Sequence, residues 1–306
     1  MLIRWLAVAS LLFCALNTPC FAEVREIAIT IDDLPFVGSG SSTPSSLKRT
    51  QERFMAIVNT LVENQVPATG FAIGGAVAKN EWDLMEAFRN QGLSIGNHTY
   101  THLSLNSISA EKYIADIERA DIKLAHVMTE PRYFRYPYLA EGKGTKKQKV
   151  LDYLTAHQYT IAPVTIDSKD YEFNAQFYRI PYRKRAQGIH QFKKRYLAYI
   201  WKQTLRAEKQ AKNSNGQPVK QILLIHANLL NSMCLGDIIE LYRSNGYKFI
   251  TLEEALKGNT AQPINDTSAK AIPVESGKKE ATANLSYYYS ILTSFSSTQE
   301  AVVPKI

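Results

Sequence analysis

The chain has 306 residues, of which 45% are hydrophobic and 21% charged, with a formal net charge of +8. That composition excludes a wholly disordered polymer and leaves room for one large domain or two small ones. The excess of base permits anionic partners without requiring them.

The first 22 residues stand apart from the rest. MLIR supplies a basic start, WLAVASLLFCAL an apolar run, and PCFA a small-residue end suited to cleavage after Ala22. This is the pattern of a secretory signal peptide. The apolar run is shorter than the roughly twenty residues of a stable membrane span; an uncleaved anchor is the alternative. NTPC, around Cys20, lacks the surroundings of a lipoprotein site, so the expected product is exported, periplasmic or secreted. Cleavage removes Cys14 and Cys20 and leaves Cys234 with no partner for an internal disulfide. Cys234 lies in LLNSMCLGDIIELYR, an amphipathic helical pattern, and is expected to be a small core residue.

From Val24 onward short apolar runs alternate with amphipathic stretches. In chain order the predicted strands are VREIAITI, PATGFAI, LSIGN, YFRYPY, YTIAPVTI, QILLIHA and KFITL. The predicted helices between them are SSLKRTQERFMAIVNTLVEN, EWDLMEAFRNQG, SAEKYIADIERADIKLAHVM, KKQKVLDYLTAH and CLGDIIELYRSNG. Ser45 or Ser46 is a candidate cap at one helix start, and Gly246 falls just past a helix end. Seven or so strand–helix alternations predict an α/β domain with a mainly parallel sheet, closer to an irregular (β/α) barrel than to a nucleotide-binding sheet. The alternation stops near Lys257; residues 259–306, rich in Ser, Thr, Ala and Lys, read as a disordered tail. The domain is therefore drawn over residues 23–258.

Barrels of this kind carry their chemistry at the C-terminal ends of the strands. The first strand ends in Asp32-Asp33, a carboxylate pair that is costly beside an apolar run unless partnered or metal-bound. A bend there would let one carboxylate bind a metal while the other faces a reactant. The third ends in His98-Thr99-Tyr100-Thr101-His102, whose spacing brings two imidazoles to one side of a tight loop. Two His with one Asp suit Zn²⁺, with Co, Ni or Fe as alternatives, and leave a position open for water. The next carries Arg135-Tyr136-Pro137-Tyr138, in which Arg135 can grip a carboxylate with both arms. YTIAPVTI delivers Asp167 to Tyr171, and QILLI delivers His226, placed as a general acid or base would be.

The order of these segments resembles the NodB-homology polysaccharide deacetylases, carbohydrate esterase family four. TIDDLP is similar to their TFDDG, HTYTH to H-S/T-x-x-H, RYPY to R-x-P-Y/F, DSKDY to D-x-x-D-W, and LLIH to L-x-H. The resemblance implies an irregular (β/α) barrel and a metal-dependent hydrolase that removes N-acetyl groups from N-acetylglucosamine-containing polysaccharide. It implies Asp33, His98 and His102 as metal ligands and Asp32 as general base, with Arg135 holding Asp32 ionised. It implies His226 as the acid for the leaving amine, oriented by Asp170, the Tyr138 backbone N–H on the oxyanion, and Leu224 against the acetyl methyl. Three departures bear on the substrate more than on the chemistry: Leu34 and Leu139 replace family glycines, and Tyr171, an aromatic wall, replaces a tryptophan. Hydrolysis of another amide or an O-acetyl ester, and a catalytically silent glycan-binding module, are the alternatives.

Residues 179–220 carry twelve Lys or Arg against one acid, Glu208. FKKRYLAYIWKQTLRAEKQAK has helical periodicity, so the stretch is expected to be a crossover helix with a solvated basic face. The sharper expectation is a rim that meets an anionic cell-envelope surface; nucleic acid is not an expected partner. His126, His157 and His190 match none of the motifs and are read as structural.

Overall fold

A computed structural model describes residues 24–37, 43–210 and 219–257. The leader expected over 1–22 and the tail expected over 259–306 lie outside the described residues. In order, the chain forms β1 (Arg25–Leu34), α1 (Pro44–Glu63), β2 (Ala68–Ala72), α2 (Trp82–Asn90), β3 (Ser94–Asn97), α3 (Ala110–Leu124), β4 (Tyr133–Phe134) and α4 (Gly144–Ala156). It continues with β5 (Thr160–Ile161), β6 (Ile166–Asp167), α5 (Asp170–Tyr178), α6 (Tyr182–Gln210), β7 (Gln221–His226), α7 (Asn231–Ser244), β8 (Tyr247–Phe249) and α8 (Leu252–Leu256). Short 3-10 turns at Gly74–Ala76 and Pro137–Leu139 follow β2 and β4.

Every strand pairing is parallel, in the order β5-β4-β3-β2-β1-β7-β6, with β8 joined to the start of β1. β1 is central and covered on both faces, which is why it reads as a nearly unbroken apolar run rather than an alternation. Ile27, Ile29 and Ile31 are fully buried, each contributing on the order of 1.5–3 kcal/mol. α1, α2, α3 and α7 bury one stripe each against the sheet. Thr43, not Ser45 or Ser46, caps α1, accepting from the Ser46 N–H with Pro44 as first helical residue. Gly246 follows α7 with φ 76°, as its position past a helix end requires. Cys234 is buried on the inner face of α7.

One predicted strand is two. YTIAPVTI splits into β5, which pairs β4, and β6, which pairs β7 at the other end of the sheet. Pro163, between them, has no N–H to give a ladder. Its neighbours finish the two ladders instead: Ala162 donates to the Phe134 carbonyl at 2.9 Å and Thr165 to that of Ile222 at 3.1 Å. Two edge strands joined by residues 162–165 can be no more than about 17 Å apart, so the sheet must curl almost into a ring. This is the physical origin of the irregular barrel. The helix α5 was not expected from the sequence; α6, expected as a basic crossover helix, is 29 residues long.

Candidate active site and metal centre

β1 runs in register with β7 as far as Asp32 opposite His226, and the β1–β2 register then slips between Ile31 and Leu34. Asp33, at the slip, has left-handed backbone with φ 64°. The irregularity brings to one site two adjacent carboxylates that a regular strand would send to opposite faces. Leu34, the glycine replacement, is fully buried, with its side chain over Gly70, where a Cβ would meet it at 2.2 Å. It fills core space and keeps clear of the site.

Asp33, His98 and His102 converge. Asp33 Oδ1 lies 3.5 Å from His98 Nε2 and 3.2 Å from His102 Nε2, and all three groups are buried. His98 Nδ1 donates to the Arg135 carbonyl at 2.8 Å, so its Nε2 is the nitrogen that faces Asp33. His102 Nδ1 is 3.0 Å from the Tyr138 hydroxyl, which can play the same part. Burial pushes the His102 ring towards neutrality, against the pull of Asp33. Asp33 resists its own burial because His102 and His98 hold it well below the usual carboxylate range. Yet Asp33 Oδ1 is buried with no hydrogen-bond donor. A buried carboxylate oxygen without a donor, facing the Nε2 atoms of two imidazoles whose Nδ1 atoms are engaged elsewhere, fits a cation. The observed 3.2 and 3.5 Å separations also match the roughly 3.4 Å edge of a tetrahedron with ligands about 2.1 Å from its centre.

Asp32 sits beside this group, its Oδ2 3.7 Å from His98 Nε2 and its Oδ1 3.4 Å from Arg135 Nη1. Arg135 is almost wholly buried and lies over the Phe71 ring at 4.6 Å. The expected two-armed grip on a carboxylate is corrected here: Arg135 Nη2 goes to Thr30 Oγ1 at 3.1 Å and to the Pro163 carbonyl at 3.4 Å. Thr30 is two residues before Asp32 on the same strand face, and so takes the place of the second carboxylate oxygen.

On the other side stands the His226–Asp170 pair. Asp170, fully buried at the start of α5, accepts from His226 Nδ1 at 2.7 Å and from the His226 N–H at 2.8 Å. Asn228 Nδ2 and Asn231 Nδ2 each donate to the same carboxylate at 2.6 Å, and the Ser168 hydroxyl at 3.3 Å. Burial alone would push the His226 proton off, but the Asp170 carboxylate prevails and His226 is pushed up to about 10. Tyr171 stands edge-on to His226, centroids 5.9 Å apart, and Lys169 holds its hydroxyl at 2.9 Å. Leu224 is buried on β7, level with Thr30 of β1 and Asp167 of β6. Tyr138 and Leu139 both have left-handed backbone, φ 58° and 52°, so Leu139 keeps the conformation its missing glycine would favour. The Tyr138 side chain is 43% exposed beside His102.

All ten residues singled out in the sequence thus lie at or next to the strand ends, on the segments expected to carry them. The sequence reading did not find Thr30, Asn228 or Asn231. Their signal is a polar residue inside an apolar run, as in ITID and HANLLN.

A curled parallel sheet with a buried His-His-Asp cluster at its strand ends defines a (β/α)-barrel protein with a candidate metal centre. Residues 22–162 match the polysaccharide deacetylase family. Over 153 residues it is 29% identical to a chitin deacetylase of Colletotrichum lindemuthianum, a match covering 48% of this chain and 54% of that one. Over 148 residues it is 26% identical to a peptidoglycan-N-acetylglucosamine deacetylase of Bacillus cereus, covering 48% and 46%. The match thus spans about half the length of these curated relatives. Among solved structures, the Colletotrichum lindemuthianum chitin deacetylase overlays with a TM-score of 0.51 at 22% identity, covering 77% of this chain and 89% of that one. A family 4 pseudoenzyme from Bacillus anthracis overlays with a TM-score of 0.52 at 16% identity, covering 76% and 65%. The fold is therefore shared by a chitin deacetylase and a pseudoenzyme, and only the residues can argue for activity.

Proposed function

We propose that this chain is a metal-dependent hydrolase that removes N-acetyl groups from N-acetylglucosamine-containing polysaccharide. The observation that carries the reading is the convergence of Asp33, His98 and His102 on one buried point, beside Asp32 and between the Arg135 and His226 sides of the site. Asp33, His98 and His102 would hold one divalent ion, Zn²⁺ before Co, Ni or Fe, which when bound would polarise a carbonyl and bring the pKa of water down to about 7.

The protein's own groups supply the rest. Asp32, paired with Arg135, takes a proton from the attacking water. The Tyr138 backbone N–H donates to the oxygen that becomes anionic. His226 keeps its proton because of Asp170 and delivers it to the departing amine. Leu224 lines the pocket for the acetyl methyl, and Tyr171 walls the sugar.

The test is acetate release from acetylated glucosamine oligomers by the purified protein. Release is expected, with loss on chelation and recovery on adding zinc while the fold persists throughout. Activity confined to other amides or O-acetyl esters would move the substrate; saturable glycan binding without release would make the chain a binding module.

The basic, then apolar, first 22 residues support export and a catalytic unit over 23–258. Among the described residues no helix is long and apolar enough to cross a membrane. On α6, Arg183, Lys184, Lys194, Arg195, Lys202, Arg206 and Lys209 are exposed. Glu208, the acid of that stretch, is occupied by Arg25 at 2.6 and 2.7 Å. This supports contact with an anionic envelope surface. The variant K194E/R195E/K202E is expected to lose low-salt retention on phosphatidylglycerol vesicles without losing acetate release from soluble oligomers; unchanged retention discards the contact.

A further inference from the structure

The loop that carries both histidines is strained. Thr99 and His102 hold left-handed backbone, φ 64° and 57°, a region that a β-branched residue such as threonine enters only when the surroundings impose it. Those surroundings can be named bond by bond. The Thr99 N–H donates to Asn97 Oδ1 at 2.7 Å, and the His102 N–H to Thr99 Oγ1 at 3.0 Å. Gly74 and Gly75 donate to the Thr99 and Tyr100 carbonyls at 3.0 and 2.9 Å. A Cβ at Gly75 would come within 2.6 Å of the Tyr100 oxygen, so the turn can approach this closely because it has no side chain there.

The remaining loop donors converge on one atom. Asp116 Oδ2, reaching over from α3, accepts from the Tyr100 N–H at 3.1 Å, the Thr101 N–H at 2.9 Å and the Thr101 hydroxyl at 2.9 Å. A turn later on the same helix Arg119 covers the Tyr100 ring at 3.7 Å. Asp116 is itself fixed, because Tyr113, Ile117 and Ala120 of α3 are buried in the core. It supports the segment between His98 and His102 through the backbone and the Thr101 hydroxyl.

We propose that Asp116 is a positioning residue that holds the His98–His102 loop in its ligating shape before any metal arrives. The proposal rests on the reading of Asp33, His98 and His102 as metal ligands. A carboxylate suits the task because one charged oxygen can satisfy two amides and a hydroxyl at once, more strongly than a neutral acceptor. Ordering the loop in advance removes that cost from metal binding.

The experiment combines amide hydrogen exchange of the metal-free protein with zinc affinity measured by competition against a chelating dye. In the wild type the Tyr100 and Thr101 amides are expected to exchange slowly without metal. In Asp116→Asn and Asp116→Ala they should exchange faster, and zinc affinity should fall by about 10–100-fold, the usual effect of removing outer support from a metal site. Acetate release at saturating zinc should fall far less, since occupancy and not chemistry is affected. Unchanged zinc affinity in a folded variant overturns the proposal, as does rapid exchange of these amides in the metal-free wild type. Should the alanine variant fail to fold, the asparagine variant and the wild-type exchange still decide. A wild type that takes up no zinc but protects the loop would sink the metal reading and leave the loop's support standing.

Discussion

Asp32→Asn is expected to cut acetate release by about 10²–10⁴-fold, the usual weight of a general base, while the metal-free protein still takes up zinc. The split follows from which oxygens face which groups. Asp33, not Asp32, carries the buried oxygen that lacks a donor between the two imidazoles. Asp32 instead faces Arg135 Nη1 at 3.4 Å. Asparagine keeps the volume and removes the charge, so proton abstraction fails and the ligand set survives. The same change leaves a buried guanidinium without its counter-ion, which costs about 3–5 kcal/mol in such pairs, so the melting temperature should fall as well. Adding Arg135→Met should recover part of that stability and none of the activity. A variant retaining more than roughly a tenth of wild-type turnover would remove Asp32 from the role of general base.

Asp170→Asn is expected to move the alkaline limb of the turnover–pH profile far downward. Asp170 lifts His226 to about 10 against burial, which works the other way. Without the carboxylate, burial is opposed only by the charges of Asp33 and Asp32, and the ring is expected to give up its proton well below about 10. At pH 8 the acid would then have lost its proton, and turnover should drop by about 10²–10⁴-fold. Stability follows the same linkage. A histidine whose folded value is raised contributes in full below about 6.5, and the contribution disappears as pH rises through about 10. The metal-free wild type should therefore lose stability between these limits, and Asp170→Asn should be flat there. The variant also starts lower, because Asn228, Asn231 and the His226 N–H lose a charged acceptor inside the protein. Parallel stability curves for the two proteins would refute the coupling.

Much of this was legible in the sequence because parallel barrels put chemistry where apolar runs stop. Asp32-Asp33, His98 and His226 each end a strand, so locating the strands located the site. Spacing within one loop, as in His98 to His102, also survives in the linear chain. What did not survive is contact between distant segments. That Arg135 would divide its arms between Asp32 and Thr30, or that Asn228 and Asn231 would crowd onto Asp170, depends on register between strands and helices. Asp116 reads in the sequence as one more acid on a helix surface. The failure at YTIAPVTI has a different cause: alternation sees eight strand-forming residues, while Pro163 separates two ladders that belong to opposite edges. α5 was missed because its buried Phe173, Asn174 and Phe177 form no clean apolar stripe.

The split at Pro163 makes the ring asymmetric. Elsewhere neighbouring strands are stitched by backbone ladders, but between β5 and β6 the gap is bridged by covalent chain and clasped by the Arg135 arm on the Pro163 carbonyl. The side chain that steadies Asp32 is thus also the buckle of the barrel. A loosening of that seam would act on the base carboxylate directly, through this one side chain.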